Sequence, residues 1–179
     1  MTNDIKETLY SEDTILKRVR ELSKEISKDY EGKDLIIVGI LKGSVIFTSD
    51  LVKHIEIPCS LDFMAVSSYG NSSESSGVVR ILKDLDQDIE GKDVLIVEDI
   101  VDTGITLSYL LEYLNARKAS SIEIVALLNK KARRKSNVEA KYIGFEVPDE
   151  FIVGYGIDYS EKYRNLPFIG ILKREIYEK

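Results

Sequence analysis

The chain has 179 residues, 44% of them apolar and 31% charged, with a formal net charge of −6. That length carries one domain with its own core, and the acidic balance argues against broad binding to nucleic acid or anionic membranes. No apolar run reaches the length of a membrane span, the start MTNDIKETLYSED lacks an apolar signal core, and a lone Cys59 allows no intrachain disulfide, so a cytoplasmic protein is expected.

The first predicted element is a helix over SEDTILKRVRELSKEISKDY (11–30). Ser11 is a capping residue followed by acids. Ile15, Val19, Leu22 and Ile26 form an apolar stripe at helical spacing, and Gly32 closes it. DLIIVGI (34–40) is short, apolar and β-branched, as a strand buried on both faces of a parallel sheet is. LKGS follows it, and VIFTSDLV (45–52) reads as a helix, with His54 at its end and no function assigned to it. Pro58 opens a strand, CSLDFMAV (59–66), in which Cys59 is a small apolar filler. SSYGNSSESSG (67–77) is a flexible loop, and a loop of this length in a compact domain is usually a lid or a binding loop. VVRIL (78–82) reads as the returning strand.

DLDQDIEGKDVL (84–95) begins like a calcium loop, but Ile89 stands where the turn glycine is needed and Leu95 where the bidentate glutamate is needed. It reads as a solvated turn. DVLIVED (93–99) is the next buried strand, Leu107, Leu110, Leu111 and Leu114 trace a helix, SIEIVALL (121–128) is another strand, and the basic stretch NKKARRK (129–135) leaves it. Strands alternating with helices predict an α/β fold, a mainly parallel twisted sheet flanked by helices. Ligands bind beyond the carboxyl ends of such strands. LKGS and EDIVDTGIT both lie there, so two strand ends can converge on one ligand.

Two familiar nucleotide signatures fail. The P-loop order is broken by Lys42-Gly43-Ser44, and the dinucleotide fingerprint by Tyr159 where a third glycine belongs after Gly154 and Gly156. VLIVEDIVDTGITLSYL (94–110) is the stretch with the clearest chemistry. TGIT leads into a helix, whose first N–H groups lack partners and carry positive potential. With Gly104 for close approach and hydroxyls on Thr103 and Thr106, this is a phosphate nest. Taken alone it also suits a threonine-capped helix with no ligand. Glu98, Asp99 and Asp102 add three carboxylates in the adjoining residues. A helix start relieves a nearby anion by only about 0.3–1 kcal/mol, too little for three. A divalent cation or a ligand rich in hydroxyls is required, and a ribose 5-phosphate has the needed shape: a phosphate beside a diol.

VLIVEDIVDTGIT resembles the phosphoribosyl-diphosphate motif of type I phosphoribosyltransferases, in its purine branch, the hypoxanthine-guanine phosphoribosyltransferases. GILKGSVIFTSDL is similar to the family's diphosphate loop, SSYG to the start of its mobile lid, and LLNKKARR with PDEFIVGYGIDYSEKYRNLPFIGIL to its purine-binding hood. The motifs stand in the family's order over roughly residues 10 to 172. The resemblance implies a single domain over 1–179, with a core at about 10–128 and 168–172, a small hood from about 129–167 with the N-terminal segment, and a lid at about 67–77. It implies transfer of the phosphoribosyl group from phosphoribosyl diphosphate to hypoxanthine or guanine, with Mg²⁺, by a cytoplasmic homo-oligomer, dimer or tetramer.

Roles follow by position. Glu98 and Asp99 match the acids that hold the ribose hydroxyls and the magnesium-bound face of the substrate, and Asp158 matches a second magnesium ligand that also borders the purine. Asp102 matches the general base at purine N7 and forms part of the 5-phosphate loop with Thr103, Gly104, Ile105 and Thr106. Ile105 stands where some relatives carry lysine, so only its backbone serves the phosphate. Lys42, Gly43 and Arg164 match diphosphate-binding residues, Lys42 and Gly43 in a loop that often carries a non-proline cis peptide; Ser68 and Tyr69 match the lid. Lys130 matches the donor to the 6-oxo group, Phe151 the ring that stacks on the base, and Ile152 a backbone contact to the base edge. Without the resemblance, Phe151 reads as a core aromatic, NKKARRK as a solvated basic turn, and Asp158 with Arg164 as a surface ion pair. Two other functions compete: an RNA-binding, nucleotide-sensing regulator on the same fold, and a phospho-acceptor or phosphatase α/β domain with Asp99 as nucleophile. The acidic balance and the intact hood motifs speak against the first; LKGS and the hood are unexplained by the second.

Overall fold

The computed structural model describes residues 1–68 and 79–178. In chain order they form β1 (Ile5–Tyr10), α1 (Glu12–Asp29), β2 (Leu35–Leu41), α2 (Val45–Val52), β3 (Cys59–Ser68) and β4 (Val79–Lys83). The second half adds β5 (Asp93–Val101), α3 (Ile105–Asn115), β6 (Ser121–Asn129), β7 (Tyr142–Glu146), β8 (Ile152–Val153), β9 (Ile169–Leu172) and α4 (Arg174–Tyr177).

Strand periodicity sorts the core into two faces. Successive side chains of a strand point to opposite sides. Leu35 and Ile37 of β2 therefore pack with α1 and α2, whereas Ile36, Val38 and Ile40 pack with α3. α1 starts where Ser11 accepts a hydrogen bond from the Thr14 N–H at 3.3 Å. Its Ile15, Val19, Leu22 and Ile26 are fully buried, each contributing about 1.5–3 kcal/mol. Leu107, Leu110 and Leu114 of α3 do the same on the opposite face.

The large sheet has six strands in the order β4-β3-β2-β5-β6-β7. All neighbours are parallel except β4, which runs antiparallel to β3. The chain steps outward from β2 in one direction and from β5 in the other. A crevice outside the carboxyl ends of these two strands is the place where such sheets bind ligands. A second sheet of three antiparallel strands, β1-β9-β8, is assembled from residues far apart in the chain.

The sheets divide the chain differently from the expected domain plan. Residues 168–172, expected with the core, supply β9 of the small sheet, and Tyr142–Glu146, expected in the hood, form the edge of the large one. β6 is apolar on both faces and needs a parallel neighbour on each side, which β5 and β7 provide. Cys59 opens β3 but is exposed rather than a buried filler. The stretch 84–95 is not merely solvated: Ile89 is fully buried, and the Asp84 carboxylate accepts a hydrogen bond from the Tyr113 hydroxyl at 2.6 Å and pairs with Arg117. Of the expected lid 67–77, Ser67 and Ser68 belong to β3 and the rest lies outside the described residues.

Candidate active site

The crevice between β2 and β5 is built by close backbone approach. β2 ends in a cis peptide between Leu41 and Lys42. Gly43 then lies so near the Asp99 carboxylate that a methyl group at this position would collide with it. This is the physical need for Gly43. It brings the loop after β2 against the acids at the end of β5.

Glu98 and Asp99 keep some open surface at the crevice, yet protein surrounds them. Burial, reinforced by the Asp99 charge, raises the Glu98 carboxyl well above the usual carboxylate range. Burial also pushes Asp99 up to about 6, against the pull of backbone N–H groups and of Arg164, with Asp158 adding to the rise. Such a pair is short of positive charge. Among the described residues no three His, Cys, Asp or Glu side chains are arranged to hold a metal ion by themselves. Two hard carboxylates beside an open crevice do suit a magnesium ion, which commonly takes one or two carboxylates and fills its shell with water and substrate phosphate.

Beyond β5 the chain turns through Asp102 and Thr103 to Gly104, which caps α3 at φ +76 with no side chain closing the helix start. The cap is thus a glycine in the left-handed region, not a threonine. A side chain there would be strained and would strike the Ser136 hydroxyl. Ile105 is the first helical residue, and its N–H reaches the Thr103 hydroxyl at 3.4 Å. Glu98, Asp102, Thr103, Gly104 and Thr106 line a cavity of about 110 Å³ around this turn.

A second cavity of about 360 Å³ is lined by Asp102, Lys130, Phe151, Ile152 and Asp158 among others. Ile100 and Asp102 border both cavities. One Asp102 carboxylate oxygen is buried without a hydrogen-bond partner. Lys130 is 6% exposed and donates from Nζ to the Glu150 carbonyl at 2.9 Å. Burial lowers its pKa, against the attraction of Asp102. Ile152 is buried in β8, and Phe151 is half-buried against the rings of Tyr177 and Tyr159.

Lys42, Asp158 and Arg164 meet on Glu161, a residue that no motif in the sequence singles out. Glu161 accepts from Lys42 Nζ at 2.9 Å and from Arg164 at 3.2 Å, while its own N–H donates to Asp158 at 2.8 Å. Arg164 also pairs with Asp158 at 2.9 Å and donates to the Gly156 carbonyl at 2.8 Å. Arg134 is likewise singled out by no motif. It donates to the Asp102 carbonyl at 3.1 Å, to the Asn129 side chain at 2.5 Å and to the Val138 carbonyl. Arg134 thus braces the acid loop from behind, so NKKARRK is only partly a solvated turn. Its sequence signal is weak: one arginine among five basic residues. Ser68 ends β3, and Tyr69 lies outside the described residues.

A parallel sheet with paired acids, a glycine-capped helix start and an adjoining base-sized cavity defines a class, and comparison with known proteins agrees with it. The family profile described as "Phosphoribosyl transferase domain" matches residues 6–160, and the chain belongs to that family. Within it, the chain is 54% identical to the hypoxanthine-guanine phosphoribosyltransferase of Bacillus subtilis (strain 168), over 99% of each chain. It is 56% identical to the hypoxanthine-guanine phosphoribosyltransferase of Staphylococcus aureus (strain N315), again over 99% of each. A crystal structure of a hypoxanthine phosphoribosyltransferase from Staphylococcus aureus matches with a TM-score of 0.97 at 56% identity, covering 100% of this chain and 97% of that one.

Proposed function

We propose that this chain transfers the 5-phosphoribosyl group of phosphoribosyl diphosphate to hypoxanthine or guanine, forming IMP or GMP and releasing diphosphate. The observation that carries the reading is the pair of neighbouring cavities that share Asp102 and Ile100 as lining residues. The smaller suits a phosphate at a helix start, the larger suits a purine, and a ribose would lie between them beside Asp102.

In this reading the C1–oxygen bond to diphosphate breaks as purine N9 bonds to C1. The proton on N7 passes to Asp102, whose buried, unpartnered oxygen is free to accept it. Positioned general bases are typically worth about 10²–10⁴-fold. Lys130 can keep the Glu150 carbonyl and still donate to a 6-oxo group, since an ammonium has three N–H bonds. The 6-amino group of adenine is itself a donor and is disfavoured there. Phe151 stacks on the base, and the Ile152 backbone meets its edge. Thr103, Gly104, Ile105 and Thr106 hold the 5-phosphate through N–H and hydroxyl donors. Lys42, Gly43 and Arg164 hold the diphosphate, with Ser68 and Tyr69 closing over it. Glu98, Asp99 and Asp158 face the ribose hydroxyls and the metal. Bound Mg²⁺ supplies positive charge to the departing diphosphate. The protein acts in the cytoplasm as a homo-oligomer, a dimer or tetramer.

The test is incubation with phosphoribosyl diphosphate, Mg²⁺ and each of hypoxanthine, guanine, xanthine and adenine, following nucleotide formation. IMP and GMP are expected and AMP is not. Absence of both IMP and GMP overturns the reading.

A further inference from the structure

We propose that Tyr177 is a purine-positioning residue: it holds Phe151 in the orientation that stacks on the base, and residues 173–178 form a wall of the purine site. The proposal rests on the transferase reading above and assigns to α4 a part in that reaction.

The segment after β9 is tied down at several points. The Leu172 N–H donates to the Phe151 carbonyl at 2.8 Å, and the Lys173 N–H donates to the Asp4 carbonyl at 2.9 Å. α4 follows, with the Glu178 N–H returning to the Arg174 carbonyl at 2.8 Å. Ile176 and Tyr177 pack against the small cluster of Val153, Tyr163, Leu166 and Leu172. These contacts fix where the Tyr177 ring goes.

It goes onto Phe151. The two rings stack at 4.8 Å between centroids, with planes 28° apart. Tyr159 meets Phe151 edge-on at 5.2 Å and 86°. An aromatic ring has two faces and a rim. Tyr177 takes one face and Tyr159 part of the rim, and the ring still borders the 360 Å³ cavity, where a ligand ring can meet it. Phe151 is itself only half-buried. Without Tyr177 its ring gains freedom, and a base would have to order it on binding, at a cost in affinity.

The same segment borders the ligand space. Tyr177, Arg174 and Glu178 line the 360 Å³ cavity together with Asp102 and Lys130. Arg174 and Glu178 are exposed and give this wall a polar rim, whereas Tyr177 is half-buried behind it. The placement separates the two substrates. Nothing in this segment lines the cavity beside the α3 start. Its loss is therefore felt at the base and not at the phosphate. An aromatic pair of this kind corresponds to about 3- to 10-fold in affinity.

The experiment uses the full chain with Tyr177→Ala, Tyr177→Leu and Tyr177→Phe, and measures KM for hypoxanthine, guanine and phosphoribosyl diphosphate with kcat. The alanine and leucine variants are expected to raise both purine KM values by about 3- to 10-fold, with the phosphoribosyl diphosphate KM within about twofold of the parent. The phenylalanine variant is expected to match the parent, because the ring and not the hydroxyl acts. The leucine variant keeps the apolar cluster filled, so it answers even where alanine loosens the fold. Unchanged purine KM values in the leucine variant overturn the proposal. So does a parallel rise for both substrates, which marks a general loss of structure. A parent protein that makes no nucleotide overturns the transferase reading instead.

Discussion

The two halves of the crevice are built from different material. On the side proposed for the phosphates the close approaches are made by glycine: Gly43 against the Asp99 carboxylate, and Gly104, the α3 cap, in a left-handed turn against Ser136. On the base side the parts are side chains: Lys130, Phe151 and the rings around it. A backbone site admits no added atom without moving a loop. A side-chain site can lose one contact and keep the others. The first is suited to an invariant group such as a phosphate, and the second to choosing among bases.

The largest expected effect lies at Asp102, which borders both regions. Asp102→Asn should lower kcat by about 10²–10⁴-fold while phosphoribosyl diphosphate binding, followed by calorimetry, stays close to normal. Near-normal turnover removes Asp102 as the base and leaves the two regions without a chemical link. Next comes Gly43→Ala. Its methyl must displace the loop or the Asp99 carboxylate, and a shift of about 1 Å near reacting atoms can cost about 100-fold. Steady-state kinetics of this variant should show the loss, with a folded circular dichroism spectrum. A fully active variant would mean that the phosphate side is as tolerant as the base side.

The base side should respond by smaller steps. Lys130→Ala removes a charged donor worth about 1.5–3 kcal/mol. The corresponding fall in kcat/KM for hypoxanthine and guanine is about 10- to 100-fold, with no change in phosphoribosyl diphosphate binding. Burial lowers the Lys130 pKa, so its proton is present at low pH and leaves as pH rises, earlier than from an ordinary lysine. The parent's purine KM should climb at alkaline pH, and that climb should vanish in Lys130→Ala. A pH profile that survives the substitution assigns the titration elsewhere.

The smallest effect on catalysis is expected from Asp62→Asn, remote from both regions. Asp62 is 4% exposed and accepts from the N–H groups of Phe63 at 2.7 Å, Asp86 at 2.8 Å and Gln87 at 3.1 Å. Burial alone would raise its carboxyl; these three donors and Lys83 hold it below the usual range. Its stabilisation is present above the ordinary carboxylate range and is lost as pH falls through the lowered value. The amide should cost about 1–3 kcal/mol of stability in urea denaturation, leaving both KM values unmoved. A change in either KM would break its use as a control.

The same contrast explains what was legible in the sequence. The large sheet announced itself because strands buried on both faces must be apolar throughout, as LIIVGIL and VLIV are. α1 was legible in its stripe and its Ser11 cap. The turns at Gly43 and Gly104 were legible because close backbone approach needs glycine at fixed places, and glycine is visible in a sequence. The small sheet was not. β1 reads IKETLY, half polar and with no clean alternation, and β8 has two residues, too few for any period. Glu161 and Arg134 were hidden for another reason. Their partners, Lys42 and Asp102, lie far off in sequence, and nothing local marks a charge that acts on a distant loop. Cys59 misled because the first residue of a strand need not be covered.

The pairing of β1 with β9 also has a consequence in time. Strands from opposite ends of the described chain must meet before the small sheet has all three of its strands. On the ribosome, β2 and β5 with their glycine turns are made early and can pair while synthesis continues. The cavity around Lys130 and Phe151 is complete only after Arg174, Tyr177 and Glu178, which also line it, have been made. A nascent chain can thus pair β2 with β5 before the larger cavity has all of its walls.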